Sequence, residues 1–125
     1  MKKWLIIAHG SRLDESNQEV IQLAQSLAAT LNVKQKDIHY AFLELARPSI
    51  PESLQNCINE GGTHIAVLPY FLTNGTHVKN DIPQIIRTEK EKYAHVKIDL
   101  CQHIGAVDSI KSVILDQLST HNMSI

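Results

Sequence analysis

The sequence predicts an α/β fold, a four-stranded parallel sheet flanked by helices, and three observations predict it. Strand-like and helix-like segments alternate four times. The connections between them are short. The first strand segment is apolar without alternation, as a strand covered on both faces is, and the third is apolar from Ile65 to Leu68. Right-handed crossovers then require a parallel sheet with helices on its two faces. A chain of 125 residues suits one domain, 1–125, with 119–125 as a frayed tail.

Taken in order, Trp4-Leu5-Ile6-Ile7-Ala8 forms the first strand and runs out into His9-Gly10-Ser11-Arg12. Ser16 to Glu19 has the spacing of a capping box at a helix start. Val20, Ala24, Leu27 and Leu31 repeat at helical period, Ile21 and Ala28 widen the stripe, and Asn32 stops it. The second strand is expected over 38–45. Ser49 and Glu52 offer another capping box, with Pro51 tolerated in the first turn, and that helix ends at Gly61-Gly62. The third strand is expected over 64–72. It breaks at Asn74-Gly75 and delivers His77 just ahead of a helix entrance at Val78 to Pro83. Val96 to Leu100 alternates apolar and polar, which suits an edge strand with one wet face. After Gly105 a last helix carries Ile110, Val113, Ile114 and Leu118.

Charge and composition exclude several classes. Twelve basic residues against thirteen acidic ones leave a net charge of -1, so no electrostatic footprint for nucleic acid is present. No segment has the length of a membrane span. The apolar run behind Met1-Lys2-Lys3 stops at Ala8 without a cleavage site, and Cys57 and Cys101 form no CxxC pattern, so a cytoplasmic protein with free thiols is expected.

Ligands of an open parallel sheet bind beyond the carboxyl ends of its strands. His9 follows the first strand, Glu44 ends the second, and His77 follows the third. Two imidazoles and a carboxylate suit a borderline divalent first-row ion and leave positions open for substrate. Each has a plainer reading beside it: the histidines as polar loop residues, Glu44 as a partner for Arg47. Arg12, Arg47 and Lys79 lie in rim loops and suit an anionic ligand, although solvated surface charge accounts equally for any one of them. His39, His64 and His95 fall at strand entrances, the opposite end. His103 is a more distant rim residue, and His121 lies in the tail.

The segments LIIAHGSR (5–12), FLELARPSIP (42–51) and LPYFLTNGTHVKNDIP (68–83) together resemble the CbiX-type sirohydrochlorin chelatases, a class II chelatase family. His103-Ile104-Gly105 resembles the family's late glycine turn. The resemblance implies a chelatase-like (flavodoxin-like half) unit that inserts Co2+, or alternatively Fe2+ or Ni2+, into sirohydrochlorin with loss of two pyrrole protons. It implies His9 and His77 as metal-binding residues, Glu44 as a catalytic carboxylate, and Ser11, Arg12, Arg47, Gly75 and Lys79 as rim candidates for the substrate's carboxylates. The metal is then substrate, and no permanently bound cofactor is expected. A single unit implies the short form, a homodimer. Two other classes stand beside this reading: a carrier that binds metal or tetrapyrrole without insertion, and a phosphoryl-transfer enzyme using His9. The last is disfavoured because Ala8 stands where histidine phosphatases have arginine.

Overall fold

The computed structural model describes residues 1–120. Four strands, β1 (Lys2–Ala8), β2 (Ile38–Phe42), β3 (His64–Pro69) and β4 (Lys97–Leu100), form one parallel sheet in the order β2-β1-β3-β4. Helices α1 (Asp14–Leu31), α2 (Ile50–Asn59), α3 (Ile82–Lys92) and α4 (Ile110–Ser119) follow the strands in turn. The expected tail overlaps the end of α4 at Ser119, and its remainder beyond Thr120, His121 included, lies outside the described residues.

Alternation along the strands sorts the core into two layers. On one face, Leu5, Ile7, Ile65, Val67 and Ile98 pack with Leu54 and Cys57 of α2 and Ile82 and Ile86 of α3. On the other, Ile6, Ala8, Ile38 and Phe42 pack with Val20, Ala24 and Ala28 of α1. Burial pushes the Cys57 thiol up to about 12, so it is a small apolar filler and not a nucleophile. Among the described residues no helix is long and apolar enough to cross a membrane.

Several boundaries differ from the sequence expectation, each for a local reason. The capping box at Ser16 is not used: α1 begins at Asp14, with Leu13 as an uncapped N-cap residue. Instead the side chain of Asn17 clasps the preceding loop, accepting from the Ser11 amide at 3.0 Å and donating to its carbonyl at 2.8 Å. The Ser49–Glu52 box does form, with both reciprocal bonds. Strand β2 ends at Phe42 instead of residue 45, because Leu45 takes a positive φ of 67°. Strand β3 ends at Pro69 instead of residue 72: Pro69 has no N–H to donate, and the Phe71 amide turns back onto its carbonyl at 3.0 Å. Asn32 ends α1 in the left-handed conformation, as its position suggested.

Candidate metal centre

Three neighbouring strands supply the site. His9 leaves β1 at its carboxyl end, and β2 continues to pair with it beyond the strand proper. The Leu43 amide donates to the Ala8 carbonyl at 2.9 Å and the Glu44 amide to the His9 carbonyl at 3.0 Å. This fixes the backbones of His9 and Glu44 side by side. Gly10, next in line, has φ +97°, and a methyl group there would overlap the Glu44 carbonyl oxygen. Only glycine meets both conditions.

His77 arrives from β3 by a longer route. The chain leaves Pro69, passes Asn74-Gly75, and enters a single π-helical turn, His77–Asp81, that leads into α3. Such wide turns recur at functional sites. Here it sets Asp81 beside His77, and Asp81 Oδ2 lies 2.8 Å from His77 Nδ1. With Nδ1 donating to the carboxylate, Nε2 of His77 is the free, lone-pair nitrogen.

The three side chains then converge. Ligand atoms of His9, Glu44 and His77 all lie within 4.8 Å of one another. His9 Nε2 is 3.0 Å from Glu44 Oε1, and the two imidazole rings stand edge to face with centroids 4.8 Å apart. Phe71 flanks His9 at 6.5 Å. Ion–ligand distances of about 2.1 Å require ligand atoms roughly 3–4 Å apart, so small rotations of exposed side chains would close the set on one ion. All three are partly exposed, at 45%, 50% and 40% of the side chain for His9, Glu44 and His77. Leu43, Glu44, His77, Asp81, Gln84 and Ile85 line an open depression of about 400 Å³ beside them. The arrangement is an open-faced ligand set, not a closed structural site.

The other expected residues separate. Arg47 does not pair with Glu44. It forms an ion pair with Glu52, and its guanidinium holds the Glu52 carboxyl down at about 2. Ser11 supports the loop: its hydroxyl accepts from the Leu13 amide at 3.0 Å. Arg12 and Gly75 are exposed and Lys79 is exposed on the π turn, none of them in the three-residue cluster. His103 is likewise outside the cluster; its backbone opens the 3₁₀ turn Ile104–Ala106. At the far end His39 faces Glu60 at 3.5 Å and His64 bonds Asp99 at 2.7 Å. Sequence reasoning missed Asp81, read only as part of a helix entrance. Its signal was present, an acid four residues after a histidine on one helical face.

A family model described as CbiX matches residues 3–121. The chain is 32% identical over 114 residues to a sirohydrochlorin ferrochelatase of Bacillus subtilis, covering 91% of this chain and 43% of that protein. It is 28% identical to a sirohydrochlorin cobaltochelatase of Saccharolobus islandicus, covering 94% of each. Among solved structures, SirB from Bacillus subtilis with Fe3+ superposes with a TM-score of 0.84 at 28% identity, over 98% of this chain and 48% of that one. The chain therefore spans about half the length of the sirohydrochlorin ferrochelatases it matches.

Proposed function

The chain belongs to the CbiX family, and on that premise we propose that it is a sirohydrochlorin cobaltochelatase, with iron or nickel as the alternative metals. The observation that carries the reading is the convergence of His9, Glu44 and His77 to within 4.8 Å at one open rim. Insertion exchanges two pyrrole N–H protons for one divalent ion. The site therefore has to hold a metal weakly, present it to a flat face, and accept protons. Two imidazoles and a carboxylate suit the first task, because thiolates or a fourth protein ligand would trap the ion. Partial exposure suits the second. For the third, Glu44 and the imidazoles are the acceptors within reach of the ion.

In this mechanism the proton between His9 Nε2 and Glu44 leaves when the metal arrives, and Glu44 turns from hydrogen-bond partner to ligand or base. Asp81 keeps His77 in the tautomer whose Nε2 lone pair faces the ion. Arg12 and Lys79 are the rim cations for the substrate's carboxylates, with Ser11 and Gly75 shaping the loops around them. Arg47 joins them only by exchanging Glu52 for a substrate carboxylate. The unit, residues 1–125, works as a cytoplasmic homodimer without a permanently bound cofactor, in cobalamin or related tetrapyrrole synthesis.

The test is anaerobic mixing of purified protein with metal-free sirohydrochlorin and Co2+, followed by absorption against a protein-free control. Faster appearance of the cobalt-tetrapyrrole spectrum is expected. A bound but unmetallated spectrum would make the protein a carrier instead, and the same assay with Fe2+ and Ni2+ ranks the metals.

A further inference from the structure

Among the described residues, one buried side-chain polar atom makes no hydrogen bond: Nε2 of His39. Such an orphan costs stability unless something from outside the chain satisfies it. His39 stands near the amino end of β2, five residues before Glu44 and so roughly 15 Å from the rim cluster. Its side chain is only 14% exposed, and it lines a cavity of about 250 Å³ between the edge strand β2 and the end of α2. Glu60, which closes α2, and Asn56, one turn earlier on the same helix face, line the same cavity.

His39 and Glu60 do not form a hydrogen-bonded ion pair. Burial holds the imidazole below its ordinary value of 6.5, so the ring is neutral at neutral pH. Glu60 Oε2 stops 3.5 Å from Nε2, too far for a good hydrogen bond. That spacing instead suits two ligands of one ion, since metal–ligand bonds of about 2.1 Å set neighbouring ligand atoms roughly 3–3.5 Å apart. A neutral imidazole, a carboxylate and an amide oxygen are suitable donors for a borderline ion such as Zn2+, Co2+ or Ni2+. The nearby cations do not oppose it strongly. Lys3 is buried but neutralised by Asp37 at 2.8 Å, and Lys36 is exposed and free to point into solvent. The Ser53 hydroxyl, which also lines the cavity, donates to the Tyr40 carbonyl at 2.9 Å and is not available as a ligand.

We propose that His39 Nε2 and the Glu60 carboxylate, with Asn56 as a third donor, form a second site for a divalent first-row ion, tying the edge strand β2 to the end of α2. With water in the remaining positions, it binds its ion more weakly than a closed four-ligand site. It shares no residue with the rim cluster and does not depend on the chelatase reading.

The experiment removes the rim cluster first. The full chain carrying His9→Ala and His77→Ala is titrated with Zn2+ by calorimetry at neutral pH, and one zinc equivalent per chain is expected to remain. Adding His39→Gln should abolish it. Adding Glu60→Gln should weaken it about tenfold or more, since losing a ligand costs more than losing its outer partner. Glu60 is exposed, so its variant carries the test even where circular dichroism shows that His39→Gln disturbs folding. His64→Ala, at the same end of the sheet but on its other face, should leave the equivalent intact. No residual equivalent in the two-alanine chain overturns the site and leaves a bridging water as the partner of Nε2. An equivalent that survives either added substitution undiminished, or that is lost with His64→Ala, overturns it by placing the ion elsewhere.

Discussion

The two ends of the sheet both carry histidines paired to carboxylates, yet only one end assembles them. At the amino end His39 lies opposite Leu5, while His64 lies opposite Lys2. They sit on strands separated by β1, about 10 Å apart across the sheet, and three residues out of step. They also face opposite sides, since His39 alternates with Ile38 of the α1 layer and His64 with Ile65 of the α2–α3 layer. Each has its own acid, Glu60 or Asp99. At the carboxyl end the strands have stopped alternating, and loops turn His9 and His77 inward over the edge of β1 until their rings meet. Residue type does not distinguish the ends. Strand adjacency and the freedom of the loops do.

The largest effect should come from breaking the convergence directly. His9→Ala or His77→Ala is expected to lower the rate of cobalt insertion roughly 100-fold or more, since removing a ligand costs more than removing its outer partner. His64→Ala, which has the same chemistry at the other end, should leave the rate unchanged in the same spectroscopic assay. Equal losses in the two cases would mean that the histidines support folding and that the ends do not differ.

Next in size is the loop that brings the carboxyl end together. Gly10→Ala has to accommodate a positive φ and an overlap with the Glu44 carbonyl. We expect a loss of about 1–3 kcal/mol in urea denaturation from the backbone conformation alone. Cobalt affinity should fall with it, because the same overlap displaces Glu44. Gly61 also has a positive φ, of +94°, but open space around it, so Gly61→Ala should cost stability without touching the metal.

A smaller effect sharpens the role of the outer partner. Asp81→Asn preserves shape but weakens the orientation of His77, and about tenfold loss of cobalt affinity by titration is expected. Asp99 is the matching acid at the far end, where its bond to His64 holds its carboxyl below the usual range. Asp99→Asn should leave cobalt binding unaltered.

Much of this was legible in the sequence, and what was not has definite causes. The apolar runs of β1 and β3, the edge character of β4 and the Ser49–Glu52 cap are local patterns, and the structure keeps them. His9, Glu44 and His77 were placed at one rim by strand topology alone. The early end of β2 depends on the conformation of Leu45, and the start of α1 depends on Asn17 reaching back to Ser11; neither is a periodic signal. The pairing of Arg47 with Glu52 over Glu44 was equally hidden, because sequence spacing allows both. The exposure of α4, which buries no residue, could not be read either. Its apolar stripe looks the same whether or not its own sheet covers it.

The smallest predicted effect lies at the amino end and concerns pH. Burial pushes the His39 imidazole below its ordinary value of 6.5, outweighing the attraction of Glu60; Lys3 lowers it further, while Asp37 and the Lys36 backbone oppose. Its Nε2 is buried without a hydrogen bond, since Glu60 at 3.5 Å is an ion-pair neighbour and too distant for a good one. The folded protein therefore favours the neutral ring. Above pH 6.5 both states carry it neutral and its contribution to stability is complete. As pH falls below that value the unfolded chain takes up the proton first, so stability declines until the folded-state value is passed. Carboxylates with lowered values, Glu52, Asp37 and Asp99, lose their contributions only at lower pH, below their ordinary values of 4.5, 3.8 and 3.8. The window between about pH 5 and 6.5 thus separates His39 from these three carboxylates. His39→Gln should flatten the decline of urea midpoint across that window. An unchanged slope would show that His39 takes up its proton in the folded protein as readily as in the unfolded chain, and that burial at this end of the sheet does not shape its chemistry.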